Sequence, residues 1–262
     1  MPKKKQERHG GIVEVVFMAP KSSNPVLVCG LPGSGYVGKL AADHLVSTFR
    51  GRKVVEYTCD SFPPQVNVKE DGTAGPLRAE LFLAPGKRGR GLLVFTADAQ
   101  PTTSEGEYEL ADAVIAYAKK CGAKEVYSLA AYVTGTFSAE PKVYGSATSR
   151  RMLDAIAQKG VTVMKDGGIS GMNGLMIGIA SLRGLEGACL LGETSGYLVD
   201  AGASKAVLET LAKLLDIPID TSKLKVKAEE TQKVISQLQS VSERSRENVL
   251  QPRHETRPDY IA

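Results

Sequence analysis

The sequence predicts an α/β fold in which a mixed, mostly parallel sheet lies between two layers of helices. From residue 11 to residue 215, strand-like apolar runs largely alternate with helix-like runs, which is the order typical of α/β proteins. Two of the predicted helices are each followed by a glycine, Gly122 and Gly160, that can end them. The chain of 262 residues is also long enough for one such domain with additional segments.

Each element follows from its local pattern. Strands are predicted at 11–19, 25–31, 53–59, 65–70, 77–84, 92–98, 125–133, 161–165 and 187–193. Helices are predicted at 36–49, 104–120, 149–159, 175–183 and 203–215. Ser104 with Glu107 forms a capping box at the start of the second helix. The strand-rich block at 66–98 indicates that part of the sheet is antiparallel, and the strand order stays open.

Four segments make up the predicted domain organisation. Residues 1–10 carry a basic cluster and are expected to form a disordered tip, and residues 11–220 form the α/β core. Residues 221–250 place apolar side chains at three- and four-residue steps, which predicts a long amphipathic helix that packs either on its own domain or on a neighbouring subunit. Residues 251–262 contain two prolines and no periodicity, and we expect a flexible tail.

Composition narrows the class of protein. The formal net charge is +4, and no stretch between the two ends of the chain combines basic and aromatic residues as an RNA-binding surface does. The four cysteines form no C-x-x-C pair, which favours reduced thiols in a cytoplasmic protein. No apolar run reaches the roughly 18–20 residues of a membrane helix, and no signal peptide is recognised. We therefore expect neither a membrane nor a nucleic acid as partner.

The segment Val26–Leu40 resembles two phosphate-binding motifs at once. Gly33, Gly35 and Gly38 fit G-x-G-x-x-G, and Gly33 to Lys39 fit most of a P-loop. Lys39 is followed by leucine, however, which cannot bind Mg²⁺, and Pro32 removes one N–H from the loop. Possible acidic partners are Glu56 for a dinucleotide ribose and Asp98 for Mg²⁺. We interpret the glycines as allowing a sharp chain reversal and close packing of the following helix.

No other pattern predicts catalytic chemistry. Two histidines, His9 and His254, lie near the ends of the chain, and His44 lies in a predicted helix, where a packing role is expected. The segment "GETSG" resembles a serine elbow, but Thr194 occupies the place of the serine. No His or Cys cluster suggests a metal site. We expect no enzyme activity, no cofactor and no metal.

Three segments carry a family resemblance: "LLVFTADAQP" (92–101), "DGGISGMNGLMIGIASLRGLEGACLLGETSGY" (166–197) and "DAGASKAVLETLAKLLDIPID" (200–220). Together they closely resemble the proteasome assembly chaperone two family, and the resemblance spans about residues 26–238. It implies a phosphorylase/hydrolase-like α/β/α core, a homo-oligomer and no established catalytic residues. It also implies ATP-independent association with the 20S proteasome or help in its assembly.

In archaeal members of that family, binding is linked to a C-terminal motif of a hydrophobic residue, tyrosine and any residue. The corresponding residues here are Tyr260, Ile261 and Ala262. The resemblance implies that they contact the proteasome α-subunits, although Ile261 lacks the hydroxyl that the motif associates with gate opening. Two alternatives stay open. One is a nucleotide-binding enzyme or sensor that uses Gly30–Lys39, Asp98 and Gly167–Gly174, and the other is a generic holdase.

Overall fold

The fold is built around one ten-stranded sheet. The computed structural model describes residues 5–18, 24–86 and 90–233. The strands are β1 (Lys5–His9), β2 (Ile12–Val16), β3 (Val26–Gly30), β4 (Arg52–Cys59), β5 (Val66–Val68), β6 (Ala74–Pro76), β7 (Ala79–Ala84), β8 (Leu92–Ala97), β9 (Glu125–Val133), β10 (Val143–Ala147), β11 (Thr162–Val163) and β12 (Glu186–Thr194). The helices are α1 (Val37–Thr48), α2 (Ser104–Lys120), α3 (Arg150–Ala157), α4 (Gly171–Leu182) and α5 (Ala201–Leu215), followed by the described part of α6 (222–233).

The sheet is mixed, as the sequence predicts, but it is not mostly parallel. Its strand order is β1-β2-β4-β7-β8-β3-β9-β12-β10-β11, while β5 and β6 pair separately. The central strands β8, β3, β9 and β12 run parallel, and so do β10 and β11. The five remaining pairings of the described sheet are antiparallel. Short connections such as the turn between β1 and β2 reverse the chain, and reversal by a tight turn gives antiparallel neighbours.

Helices cover both faces of the central strands, which confirms the α/β class. In β3, Leu27 and Cys29 pack into the cluster that contains α2 and α4, whereas Val26 and Val28 pack into the cluster that contains α1 and α5. Successive side chains of a strand point to opposite faces, so a strand that is buried on both faces must be apolar throughout. Burying each such side chain stabilises the fold by roughly 1.5–3 kcal/mol.

The N-terminal residues differ from the expectation of a disordered tip over residues 1–10. Lys5–His9 form β1, which pairs with β2 through a turn at Gly10, where φ is +57°. The side chains of β1 are mostly exposed because it is an edge strand, and charged residues are common on such edges. A charged composition therefore does not distinguish an edge strand from a disordered tip.

The helix predicted over 104–120 is confirmed as α2, but its cap is one residue earlier than predicted. Thr103 has an extended backbone, and its Oγ1 accepts a hydrogen bond from the Gly106 N–H at 3.2 Å. Ser104 is already the first helical residue. Because threonine and serine cap helices in the same way, the sequence identifies the start of this helix better than it identifies the capping residue.

Candidate functional site

The carboxyl ends of the parallel strands form the part of the molecule where ligands of α/β proteins usually bind. The chain leaves β3 toward α1 on one face of the sheet and leaves the neighbouring β8 toward α2 on the other face. Adjacent connections that depart to opposite faces open a crevice outside the ends of the strands. The segments that follow β3, β8, β9 and β12, together with the start of α4, surround this edge.

The glycines at the two ends of the β3–α1 connection are required for close packing. A Cβ built at Gly30 would lie 2.8 Å from the Cβ of Ala42, and one built at Gly38 would lie 3.0 Å from the carbonyl carbon of Leu129 in β9. Backbone atoms of β9 cannot move aside as the end of a flexible side chain can. These two glycines therefore let α1 lie directly on the sheet, which supports the structural interpretation of the loop.

The residues that a P-loop or a dinucleotide site needs are not gathered at this loop. Lys39 Nζ donates to Asp43 Oδ1 at 2.9 Å and to Thr96 Oγ1 at 3.1 Å, so it is engaged by α1 and β8. Asp98 Oδ2 accepts a hydrogen bond from the backbone N–H of Arg78 at 2.9 Å. Glu56 lies on β4, three strands from β3, which is roughly 14 Å at the usual strand spacing.

Charged neighbours surround Glu56 in a network on β4 and β7. Glu56 Oε2 lies 2.9 Å from Lys53 Nζ and 2.9 Å from the guanidinium of Arg78. Burial alone would raise the pKa of Glu56, but hydrogen bonds and charges from Lys53 and Arg78 outweigh it, and the pKa is lowered. The carboxylate is therefore held ionised by its own sheet and has a structural role.

Thr194, at the centre of "GETSG", also has a structural role. It is fully buried, and its Oγ1 donates to Asp200 Oδ2 at 2.8 Å. The other carboxylate oxygen of Asp200 accepts the Ala203 N–H at 2.8 Å and caps α5. The resemblance to a serine elbow thus reflects a hydrogen-bonded link between the end of β12 and the start of α5.

The two glycine-rich loops meet in a crevice of about 440 Å³, here called the carboxyl-edge crevice. Gln100 joins them, because its Nε2 donates to Pro32 O and its Oε1 accepts the Met172 N–H at 2.8 Å. Asn173, only 7% exposed, accepts the Leu31 N–H through Oδ1 at 3.3 Å. None of the described residues that line the crevice carries a charged side chain: Leu31, Gly33, Ser34, Gly38, Gln100, Ala130, Ala131, Tyr132, Val133, Met164, Gly168, Ile169, Ser170, Gly171, Asn173 and Leu191.

An exposed apolar surface lies beside this crevice. It comprises Tyr36, Val133 and residues 197–199, and we call it the apolar rim. Tyr197 is 84% exposed, and the other four side chains are between 47% and 54% exposed. The segments are close in space, because the Asp200 N–H donates to Gly35 O at 2.8 Å and Gly196 packs on Val133. Contiguous exposed apolar side chains are typical of protein-binding surfaces.

An acidic groove of about 470 Å³ lies between the β1–β2 hairpin and α2. Half-buried Glu14 lines it, and burial raises the pKa of this carboxyl, with a further increase from the charge of Glu7.

The hydroxyl of Tyr57 is buried and has no hydrogen-bond partner among the described residues, and burial raises its pKa strongly. Among those residues, no group of three or more His, Cys, Asp or Glu side chains is arranged to hold a metal ion.

The sequence-predicted contact residues Tyr260, Ile261 and Ala262 lie outside the described residues, as does the part of the long helix beyond residue 233. His44 contacts Asp220 O through Nε2 at 2.6 Å, as expected for a packing role. Within the described ranges, no helix combines the length and apolar character needed to cross a membrane.

Sequence reasoning identified the loops of the crevice but not the side chains that join them. Gln100 and Asn173 lie within segments that carry the family resemblance, yet nothing in their local pattern distinguishes them from other loop amides. The apolar rim was also missed, because nothing in the segment "SGYLV" (195–199), which follows the strand predicted at 187–193, indicates that its apolar side chains are exposed. Only the turn after Thr194 exposes these residues.

Comparison with known proteins identifies a family model and a protein that are similar to this chain. The model of the PAC2 family matches residues 27–239. The uncharacterized protein MJ1210 of Methanocaldococcus jannaschii is 39% identical over 221 residues, which are 84% of this chain and 85% of that protein.

Two solved structures from Pyrococcus furiosus are similar over nearly their whole length. PbaB, an archaeal proteasome activator, has a TM-score of 0.81 and 32% identity, covering 87% of this chain and 99% of its own. PbaA, an archaeal homolog of proteasome-assembly chaperone, has a TM-score of 0.72 and 28% identity, covering 91% and 96%. As the resemblance in its sequence predicts, this chain belongs to the PAC2 family.

Proposed function

We propose that this chain is a homo-oligomeric, non-enzymatic chaperone or adaptor that acts on the 20S proteasome without ATP. The observation that carries the proposal is the similarity to PbaB, a proteasome activator, at 32% identity and over 99% of that chain. The similarity to PbaA, a homolog of proteasome-assembly chaperone, supports the same partner. The contacts that Lys39, Asp98 and Glu56 make within the fold do not support the alternative of a nucleotide-binding enzyme or sensor.

The proposed contact with the α-ring is made by the last three residues, Tyr260, Ile261 and Ala262. A tail of a few residues binds weakly alone, but several tails on one oligomer raise the effective concentration and gain about 10²–10⁴-fold in avidity. Self-association is therefore part of the proposal. We assign it to the apolar rim, because its exposed tyrosine and aliphatic side chains have the composition of an interface core.

Binding to purified archaeal 20S proteasome, measured by native gel and by peptidase activity, tests whether the last three residues make the contact. We expect the full chain to bind in the absence of nucleotide and deletion of 260–262 to abolish binding. A chain with one glycine added after Ala262 keeps Tyr260 but moves the carboxylate, and it should bind at least about tenfold more weakly because a charge-assisted contact is displaced. Equal binding by the full and shortened chains would exclude the tail as the contact.

The mass of the native assembly tests whether the apolar rim mediates self-association. A double substitution Tyr197→Ser and Leu198→Ser should lower the mass of the native assembly, and it should also lower the avidity for the proteasome. Leu182→Ser is the matched control, because Leu182 is also an exposed leucine, at 82%, but lies at the far end of α4. Suppression of aggregation of an unrelated protein, independent of residues 260–262, would instead favour the generic holdase.

A further inference from the structure

We propose that residues 234–242 of one copy of this chain bind a groove on a second copy. The groove has a volume of about 630 Å³ and is lined by residues within 139–141, 202–209 and 225–233. We call it the α5–α6 groove, because α5 forms its floor and α6 forms one wall. This contact rests on the self-association that is part of the proposed function, and it uses a surface separate from the apolar rim.

Helix α6 leaves its own domain at the end of the described residues. Thr221 Oγ1 donates to Glu209 Oε1 at 3.2 Å, and a Cβ built at Gly202 would lie 3.7 Å from the Cβ of Ala228. The two helices are therefore antiparallel, and α6 reaches the start of α5 at Ala228. Ala228 is half-buried, whereas residues 232–233 are exposed. The residues that follow thus begin beyond the first turn of α5.

The chain beyond residue 233 is long enough to reach another copy. No glycine or proline occurs between Pro218 and Pro252, and the sequence predicts that the helix continues to residue 250. That continuation would be roughly 26 Å long. The apolar steps of the described helix continue in it at Ile235, Leu238 and Val241. An apolar stripe of this kind is stabilised only when it packs against another surface.

The segment 234–242 cannot easily enter the groove of its own chain. Residues 232–233 line this groove, so a chain that continues from them must reverse direction to enter it. Glycine and proline are the strongest signals for such a reversal, and this stretch has neither. Each copy carries a groove and, directly after it, a segment. A two-fold axis at this point places each segment in the groove of the other copy.

The floor of the groove has room for a helix. Gly202 and Ala206 lie one turn apart on α5, and Ala228 faces them from α6. Pro141 lies on the opposite wall. The distance at which two helices pack depends on the side chains at the contact, so these small residues allow a helix with branched side chains to approach closely.

The charges along the groove favour an uncharged occupant. Lys205 Nζ lies 2.8 Å from Glu209 Oε1, and Lys225 Nζ lies 4.0 Å from Glu229 Oε1, so these charges are paired with each other. The segment 234–242, "VISQLQSVS", contains no charged residue, whereas the residues on both sides of it are rich in Lys, Arg and Glu. It can therefore enter the groove without burying an unpaired charge.

Cross-linking of the full chain tests the contact. Ala206→Cys on the floor and Leu238→Cys in the segment are combined with Cys121→Ser, because Cys121 is half-buried and the other three cysteines are buried. A short bismaleimide should join positions 206 and 238 and give a covalent dimer on a denaturing gel, and peptide mass spectrometry identifies the joined positions. Ala157→Cys in place of Ala206→Cys is the matched control, because Ala157 is an exposed alanine at the end of α3, and it should give no cross-link to position 238.

Two other cross-linking results would overturn the proposal. A covalent monomer joined through positions 206 and 238 would place the segment in the groove of its own chain. A covalent dimer joined only through position 238 of both chains would show that the segments pair with each other outside the groove. If position 206 gives no cross-link while the native mass exceeds that of one chain, the groove is wrong and self-association stands. A native mass of one chain would contradict both.

A charge placed in the segment provides a second measurement. Leu238→Glu should raise, by at least about tenfold, the protein concentration at which the assembly dissociates, because an unpaired charge would be buried in the groove. Ser240→Glu adds the same charge on the opposite side of the predicted helix and should change this concentration by less than about twofold. Circular dichroism shows whether both variants fold, and the cross-link decides if one does not. Equal dissociation of the two folded variants would refute the contact.

Discussion

Replacing Gly38 by alanine perturbs the contact between α1 and the sheet in the smallest possible way. An alanine in a helix interior is normally about 1 kcal/mol more favourable than glycine, and this value is the upper limit for Gly38 because it is only the second residue of α1. At Gly38, however, the new Cβ would lie 3.0 Å from the carbonyl carbon of Leu129, a backbone atom of the central strand β9. Relief requires α1 to move away from the sheet, although Val37, Ala41 and Leu45 are fully buried there.

The expected magnitude follows from these two opposing effects. Overpacking typically costs 1–3 kcal/mol, and we take about 3 kcal/mol because the obstacle is rigid backbone. After the helical gain of about 1 kcal/mol, Gly38→Ala should be destabilised by about 2 kcal/mol, which is about 4–8 °C in melting temperature for a chain of this size. Gly178→Ala in α4, with open space around its Cβ, should instead gain about 1 kcal/mol.

Urea unfolding followed by circular dichroism measures both variants at one protein concentration, since self-association would otherwise shift the apparent stability. The difference between the two alanine variants should be about 3 kcal/mol. If Gly38→Ala and Gly178→Ala agree within about 0.5 kcal/mol, the glycine is not required for helix packing. The interpretation of the glycine loop as a packing device would then be wrong.

Three further perturbations test the description of the fold. Asp200→Ala removes the cap of α5 and leaves the buried hydroxyl of Thr194 without its acceptor, so we expect a loss of about 2–4 kcal/mol in urea unfolding. Glu14→Gln should raise the melting temperature at pH 7 and leave it unchanged near pH 3. The pKa of Glu14 is raised in the folded protein, so ionisation of this carboxyl destabilises the fold as pH rises, and glutamine cannot ionise. Iodoacetamide should modify half-buried Cys121 before the three buried cysteines, as mass spectrometry of the native protein can show.

Each of these expectations has a matched comparison. Thr103→Ala removes the cap of α2 and an exposed hydrogen bond from Thr103 Oγ1 to Ser61 Oγ, but it leaves no buried group unpaired. It should cost about 1 kcal/mol, so an equal loss in Asp200→Ala would contradict the role of Thr194. A Glu14→Gln protein whose melting temperature follows that of the parent at every pH would contradict the raised pKa. Burial raises the pKa of Cys121 as well, so its modification should be slower than that of a free thiol at the same pH. Faster modification of Cys29 would contradict its burial.

Strand β9 and helix α2 were predictable because their signals are local. The limits of β9 (Glu125–Val133) and of α2 (Ser104–Lys120) follow from a continuous apolar run and from a helical pattern ended by Gly122, and both were predicted to the residue. These signals depend on residues within a few positions of one another. They require no knowledge of which strands become neighbours.

Strand direction and edge strands were not predictable, because they depend on distant partners. β10 (Val143–Ala147) was missed, and its Gly145 has weak strand propensity. That glycine is needed by its neighbours, since a Cβ there would lie 2.7 Å from Val161 Cγ1 and 2.9 Å from Cys189 O. The antiparallel pairing of β10 with β12 is therefore fixed by contacts with residues more than 40 positions away in the chain.

The same limit explains why the glycine loop resembles a nucleotide site. A phosphate loop and a tightly packed strand–helix connection both need glycines near the end of a strand, so the motif alone cannot separate them. The structure separates them residue by residue, because Gly30 and Gly38 are required by backbone contacts and Gly33 is not. The position without a packing reason is the one that faces Asn173 and Gln100. The distinction between a packing glycine and an unconstrained one therefore depends on contacts between distant segments that no short motif records.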